Sequence, residues 1–276
     1  MELKIEISGD QVACRQDGDQ VLSVPLADFL NALGSRADQQ VLPEAVPDGV
    51  RFVRRRGAST VLVMEERPQV RTVRWLTDKS PVPFGEKAVY RTARLAFPFV
   101  VVVVTLRGGG MTGHQECFYR TAPLENLSDP LLLPNLPNVA NGHGHQCWLC
   151  LAGMKDDLSA LPWGAKVRAI RQHMWGAGFN RSSEVHEGNS YWQTSKELDP
   201  RLAKVEAWEE ASGKQPFFPL EVAWRPSERT VGQVMDEMLV LSAVAPAPAS
   251  AEHLVQMLMG PRRKPSIRKL MEAGFS

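Results

Sequence analysis

Apolar and polar residues alternate from the start of the chain, and the period changes along it in a way that predicts the elements. Leu3, Ile5 and Ile7 stand between polar residues, as in a half-buried strand. Turn signals at Gly9-Asp10 and Asp17-Gly18-Asp19 separate this strand from two more, Val12–Arg15 and Gln20–Val24. The spacing then lengthens: Leu26, Phe29, Leu30 and Leu33 recur as on one helix face, with Gly34 placed as the C-cap. A polar, proline-bearing loop over 35–48 leads to strands at Val50–Arg55, Ser59–Met64 and Val70–Leu76, and a second loop covers 78–86. Phe97–Leu106 holds five consecutive valines. It is apolar on both faces, so it is expected at the centre of a sheet. Gly108-Gly109-Gly110 lacks the Lys-Ser/Thr of a phosphate loop and reads as a hairpin tip before a return strand, Glu116–Thr121.

The second half is more helical. Pro130, Pro134 and Pro137 exclude a helix over 123–141, which is expected to be an ordered apolar loop without regular elements. Val167, Ile170 and Met174 predict a helix over 162–177, with Pro162 in its first turn. A polar loop over 181–198, a helix over 199–211 and an irregular aromatic stretch, 217–224, follow. Ser227 is placed to cap a helix bearing Val231, Val234, Met238 and Leu241. Residues 245–252 have linker composition, and 253–276 contain two short helical patterns, a C-terminal tail or docking arm. The expected organisation is one α+β domain over 1–244, then the linker and the arm.

Composition narrows the function classes. With 276 residues, 43% of them hydrophobic, the chain can bury one large core. A net charge of +1 gives no global field for nucleic acid or membrane partners. The basic clusters at 54–56 and 262–264 read as solvated faces. The longest apolar run, Leu95–Leu106, is too short to cross a membrane as a helix. Met1–Ile7 lacks the regions of a signal peptide, and the four cysteines are therefore expected as reduced thiols in a cytoplasm.

Candidate chemistry concentrates in Leu133–Cys150, where a repeated Leu-Pro-Asn leads into His143, His145, Cys147 and Cys150. One reading is a metal cluster, with Cys147 and Cys150 joined by His114 and Cys117. The residues between each pair, Trp148-Leu149 and Gln115-Glu116, do not suit a glycine-rich zinc knuckle. The other reading is a nucleophilic thiol at Cys147. His143 or His145 would accept a proton from an incoming amine, and Asn138, or Asn135 or Asn141, would donate to an oxyanion from a proline-stiffened loop.

A strand meander, a loop carrying x-Pro-Asn, a cysteine soon afterwards and then helices resembles the ubiquitin-conjugating enzyme fold. Leu136-Pro137-Asn138 is similar to that family's His-Pro-Asn motif, and Cys147 to its thioester-forming cysteine. The closest likeness is to divergent bacterial members, which are similar in placing an aromatic residue, here Trp148, after the cysteine. The resemblance spans about 26–177. It departs from the pattern at Leu136, which replaces a histidine, and in placing Cys147 one residue further from Asn138. It implies an antiparallel meander flanked by helices, extended by an N-terminal β-hairpin and C-terminal helices. The implied activity is a thioester transferase that carries a ubiquitin-like protein on Cys147, with Asn138 stabilising the oxyanion and His145 or His143 assisting proton removal. Its implied partners are an activating-enzyme-like protein and the ubiquitin-like protein, and the carrier itself needs no cofactor. A binding-only adaptor of the same fold and a zinc-stabilised interaction module are the alternatives.

Overall fold

The computed structural model describes residues 3–8, 10–16, 19–25, 46–151, 154, 158–182, 185 and 190–243. The chain divides into two compact units, Met1–Ser242 and Ala243–Ser276. The helix expected over 26–33, the linker and the arm lie outside the described residues. At the N-terminus β1 (Leu3–Ser8), β2 (Gln11–Gln16) and β3 (Asp19–Pro25) form a three-stranded antiparallel sheet.

The main sheet contains β4 (Val50–Arg56), β5 (Ser59–Glu66), β8 (Phe99–Arg107), β9 (Gly110–Arg120), β11 (Val139–Gly142) and β12 (His145–Leu149), in the order β11-β12-β9-β8-β5-β4. Two short strands extend it, β10 (Pro130–Leu132) beside β9 and β14 (Pro226–Thr230) beside β10. As the valine run predicts, β8 is interior, and Val100–Val104 are all buried. Gly108 and Gly109, at φ 56° and 87°, make the turn from β8 to β9 that only glycine adopts freely. The fold is therefore α+β, its sheets mostly antiparallel.

A second sheet comprises β6 (Gln69–Leu76), β7 (Tyr90–Phe97) and the two-residue β13 (Gly178–Phe179), in the order β13-β6-β7. The two sheets share one hairpin. Glu66 faces Val100 on one side of the break and Gln69 faces Phe97 on the other, a single register that sets Pro68 opposite Pro98. Both members of that pair lack an N–H, so the ladder is lost there and two long strands bend together. The expected strand Phe97–Leu106 is accordingly split at Pro98. β7 lies outside the sequence-based expectation because Ala93 and Ala96 carry little strand preference.

β7 is an edge strand, and its outward backbone groups are covered by side chains of one helix. Among the described residues three helices are longer than a single turn: α1 (Trp163–Gly176), α2 (Val205–Lys214) and α3 (Val231–Ala243). On α2, Glu209 Oε1 accepts from Arg94 N at 2.7 Å and Ser212 Oγ from Ala96 N at 2.8 Å, while Trp208 Nε1 donates to Ala96 O at 2.9 Å. Two residues apart on the strand and one helical turn apart on α2, these contacts close an edge that would otherwise template another chain.

The helix over 162–177 is found as α1, with Val167, Ile170 and Met174 buried as their spacing requires. The expected cap of α3 is corrected. Ser227 lies in β14, and Thr230 forms a capping box instead: Gln233 N donates to Thr230 Oγ1 at 3.3 Å, and Thr230 N to Gln233 Oε1 at 2.8 Å. Thr230→Ala is expected to lower stability by about 1 kcal/mol in chemical denaturation. The 123–141 stretch is also corrected in part, since β10 and β11 lie within it. Its remainder is ordered by Arg120, which donates to the carbonyls of Ala122, Pro123 and Pro130 at 2.7 to 3.2 Å. Among the described residues no helix is long and apolar enough to cross a membrane.

Candidate functional site

The Leu-Pro-Asn repeat forms a buried shelf under the β11–β12 hairpin. Leu131 and Leu136 are sealed in the core. Asn135 Oδ1 accepts from Tyr119 Oη at 3.1 Å, and Tyr119 packs edge-on against Trp224 with centroids 4.8 Å apart. Val139 N donates to Leu136 O at 3.1 Å and Cys150 N to Asn138 O at 2.9 Å, so the loop is tied into the hairpin it precedes. The Asn138 side chain is buried, its Oδ1 without a hydrogen-bond partner among the described residues, and Asn141 is exposed.

The two histidines separate. Gly142 pairs with His145, leaving His143 and Gly144 as a two-residue turn at φ 54° and 77°, both positive as a type I′ turn needs. His143 is exposed, its ring 4.3 Å from that of Trp148. Neighbouring residues of a strand point to opposite faces, so His143 keeps company with the face away from Cys147. His145 is 4% exposed; its Nε2 lies 3.0 Å from His114 Nδ1, and its Nδ1 lies 3.7 Å from Glu116 Oε2. Burial first, and then His145, lower the pKa of His114.

Cys147 is fully buried, at 0% exposure, beside a charge that sequence reasoning did not single out. Glu116, also at 0%, takes a two-pronged contact from Arg229, Nη1 to Oε1 at 3.1 Å and Nη2 to Oε2 at 2.7 Å. Its Oε1 also accepts from Cys147 N at 2.9 Å. Burial alone would push the Glu116 carboxyl up. The His145 ring nitrogen 3.7 Å away and the hydrogen bonds and charge of Arg229 override it and hold the group down at about 2. The carboxylate is therefore ionised at neutral pH.

Burial pushes the Cys147 thiol well above its ordinary range, and the Glu116 charge pushes it in the same direction. Reactive thiols sit in electropositive, accessible surroundings, and these are the reverse. The Tyr191 hydroxyl, which donates to Gln146 O at 2.8 Å, is also in hydrogen-bonding contact with the thiol. Removing that hydroxyl in Tyr191→Phe is expected to loosen the cover by about 1 kcal/mol, which raises the alkylation rate of Cys147 about fivefold. Peptide mapping after timed iodoacetamide treatment measures it.

The structure thus brings Cys147 and His145 to the Glu116 carboxylate, ties Asn138 to Cys150, and places His143 on the hairpin tip. Cys117 is buried with its thiol pushed up by desolvation, and Cys150 is half-buried. Among the described residues, no three His, Cys, Asp or Glu side chains are placed to hold a metal ion, so His114, Cys117, Cys147 and Cys150 are not a zinc set. Glu116 had no distinct signal in the sequence, standing at the polar start of the return strand. Arg229, 113 residues away, had none. No family model, curated protein or solved structure matches this chain.

Proposed function

We propose that this chain is a conjugating-enzyme-like protein that acts in ubiquitin-like modification by binding, with Cys147 as a structural thiol. The order of elements supports the kinship. β4, the bent strand β5–β6, the bent strand β7–β8 and β9 run as an antiparallel meander, and the Pro-Asn loop, the hairpin bearing Cys147 and α1 follow. The observation that carries the binding role is the closed site: a thiol at 0% exposure beside the buried Glu116 carboxylate. A thioester to a second protein needs a sulfur that a peptide terminus can reach, and a neighbouring anion raises the cost of the thiolate that must attack. The partner is an activating-enzyme-like or ubiquitin-like protein.

The carrier reading has one observation in its favour: the group meeting the sulfur is the hydroxyl of a half-buried tyrosine rather than core hydrocarbon. Displacing it would uncover Cys147 on the strand face that also carries His145. The Cys147 sulfur would then take the modifier's acyl group from the activating enzyme's thioester, whose own sulfur leaves with the proton.

Incubation with an activating enzyme, its ubiquitin-like protein and ATP separates the two readings. Binding predicts a non-covalent complex that Cys147→Ala leaves intact. A reducible adduct that Cys147→Ala abolishes would establish the carrier instead.

A further inference from the structure

We propose that the pocket between β6 and α1 binds a phosphate monoester group. This site is separate from the Cys147 region and does not depend on the role assigned there. The pocket, of about 270 Å³, is lined by Glu66, Arg71, Arg168, Arg171, Gln172 and Trp175. Three guanidiniums face one carboxylate, which leaves two positive charges.

That imbalance is built in. Glu66 is buried and committed to both neighbours: Arg71 Nη2 and Arg171 Nη2 share its Oε2, the latter at 2.9 Å, and Arg171 Nε takes Oε1. One carboxylate cannot neutralise two guanidiniums. Burial first lowers the pKa of Arg71; Glu66 opposes this, and Arg171 adds to it. Arg168, exposed and one turn before Arg171 on α1, has no carboxylate partner among the described residues.

Two donors single this pocket out from an ordinary basic surface. Among the described residues Arg71 Nε and Trp175 Nε1 are both buried without a hydrogen-bond partner, and both residues line the pocket. Buried donors are nearly always satisfied, so two sealed just behind one pocket wall would gain from a small shift of that wall toward an acceptor. The Arg71 guanidinium is also held in place, 4.2 Å above the Trp175 ring, so its charge is fixed before a ligand arrives. A phosphate monoester fits on charge and on valence. It carries about −1.5 to −2 near neutral pH, with three acceptor oxygens. These match the two uncompensated charges and the open Arg168 fork.

The test uses the full chain with ¹⁵N-labelled tryptophan. The Trp175 indole resonance is assigned as the one missing in Trp175→Phe. Inorganic phosphate and phenyl phosphate are titrated separately, against chloride and acetate at matched ionic strength. The expected result is a saturable shift of the Trp175 indole signal with both phosphates, and a midpoint raised at least tenfold in Arg168→Gln. Because Arg168 is exposed, that variant keeps the fold. An unmoved Trp175 signal, a shift equal to that with chloride, or an unchanged midpoint in Arg168→Gln would overturn the site. Binding of inorganic phosphate without phenyl phosphate would overturn the ester assignment.

Discussion

Replacing Glu116 with alanine is expected to destabilise the protein by about 3–5 kcal/mol, because it strips a buried charge pair of one partner. Arg229 is 16% exposed at its side chain, and its remaining carboxylate, Glu237 at 2.9 Å, is 54% exposed and cannot replace a sealed one. The Cys147 amide loses its acceptor as well. Acid titration reports the same interaction independently. The Glu116 carboxyl falls from about 4.5 to about 2 on folding. Its contribution, about 3 kcal/mol, is present in full above pH 4.5 and disappears as pH falls through 2. Glu116→Gln removes the ionisation while keeping an acceptor. The stability difference between wild type and Glu116→Gln should therefore shrink over pH 4.5 to 2 in urea-denaturation series. A difference that stays constant across that window would show that Glu116 is not held ionised by Arg229.

Trp208→Ala is expected to cost about 4 kcal/mol, chiefly as a core cavity. Trp208 is fully buried, with Phe97, Trp75 and Trp192 rings at 5.3, 6.0 and 6.1 Å. Its indole N–H also holds the Ala96 carbonyl on the open edge of β7. Losing it leaves that edge secured by Ser212 and Glu209 alone. Trp208→Phe retains most of the ring and is expected to lose about 1–2 kcal/mol. The two midpoints, measured in urea, separate packing from edge closure: equal losses would place the whole effect in the missing hydrogen bond.

Legibility in the sequence followed whether a residue's partner was local. α1 is readable because Val167, Ile170 and Met174 repeat at helical spacing and all turn inward. The β8 valines are readable because a run apolar on both faces fits only the inside of a sheet. β7 is not, since its inward positions begin with Arg91 and the small Ala93 before Leu95 and Phe97. The Pro68–Pro98 bend needs a register that only the folded ladder supplies. At the candidate site, local sequence identified the type of chemistry available at Cys147, His145 and Asn138. What governs that chemistry comes from elsewhere. Arg229 fixes the Glu116 charge and Tyr191 covers the sulfur, each brought from a distant segment. His143 shows the reverse error, where closeness in sequence suggested a role that a hairpin turn then removed.

The closed state of Cys147 is the central claim, and thiol accessibility tests it most directly. The folded protein is alkylated with iodoacetamide for timed intervals and the modified cysteines are read by peptide mass spectrometry, with urea-unfolded protein as the reference. Half-buried Cys150 serves as the internal standard. The predicted result is modification of Cys150 while Cys147 and Cys117 stay protected until the chain unfolds. Alkylation of Cys147 in the folded protein as fast as that of Cys150 would contradict a sealed thiol and return Cys147 to the role of thioester carrier.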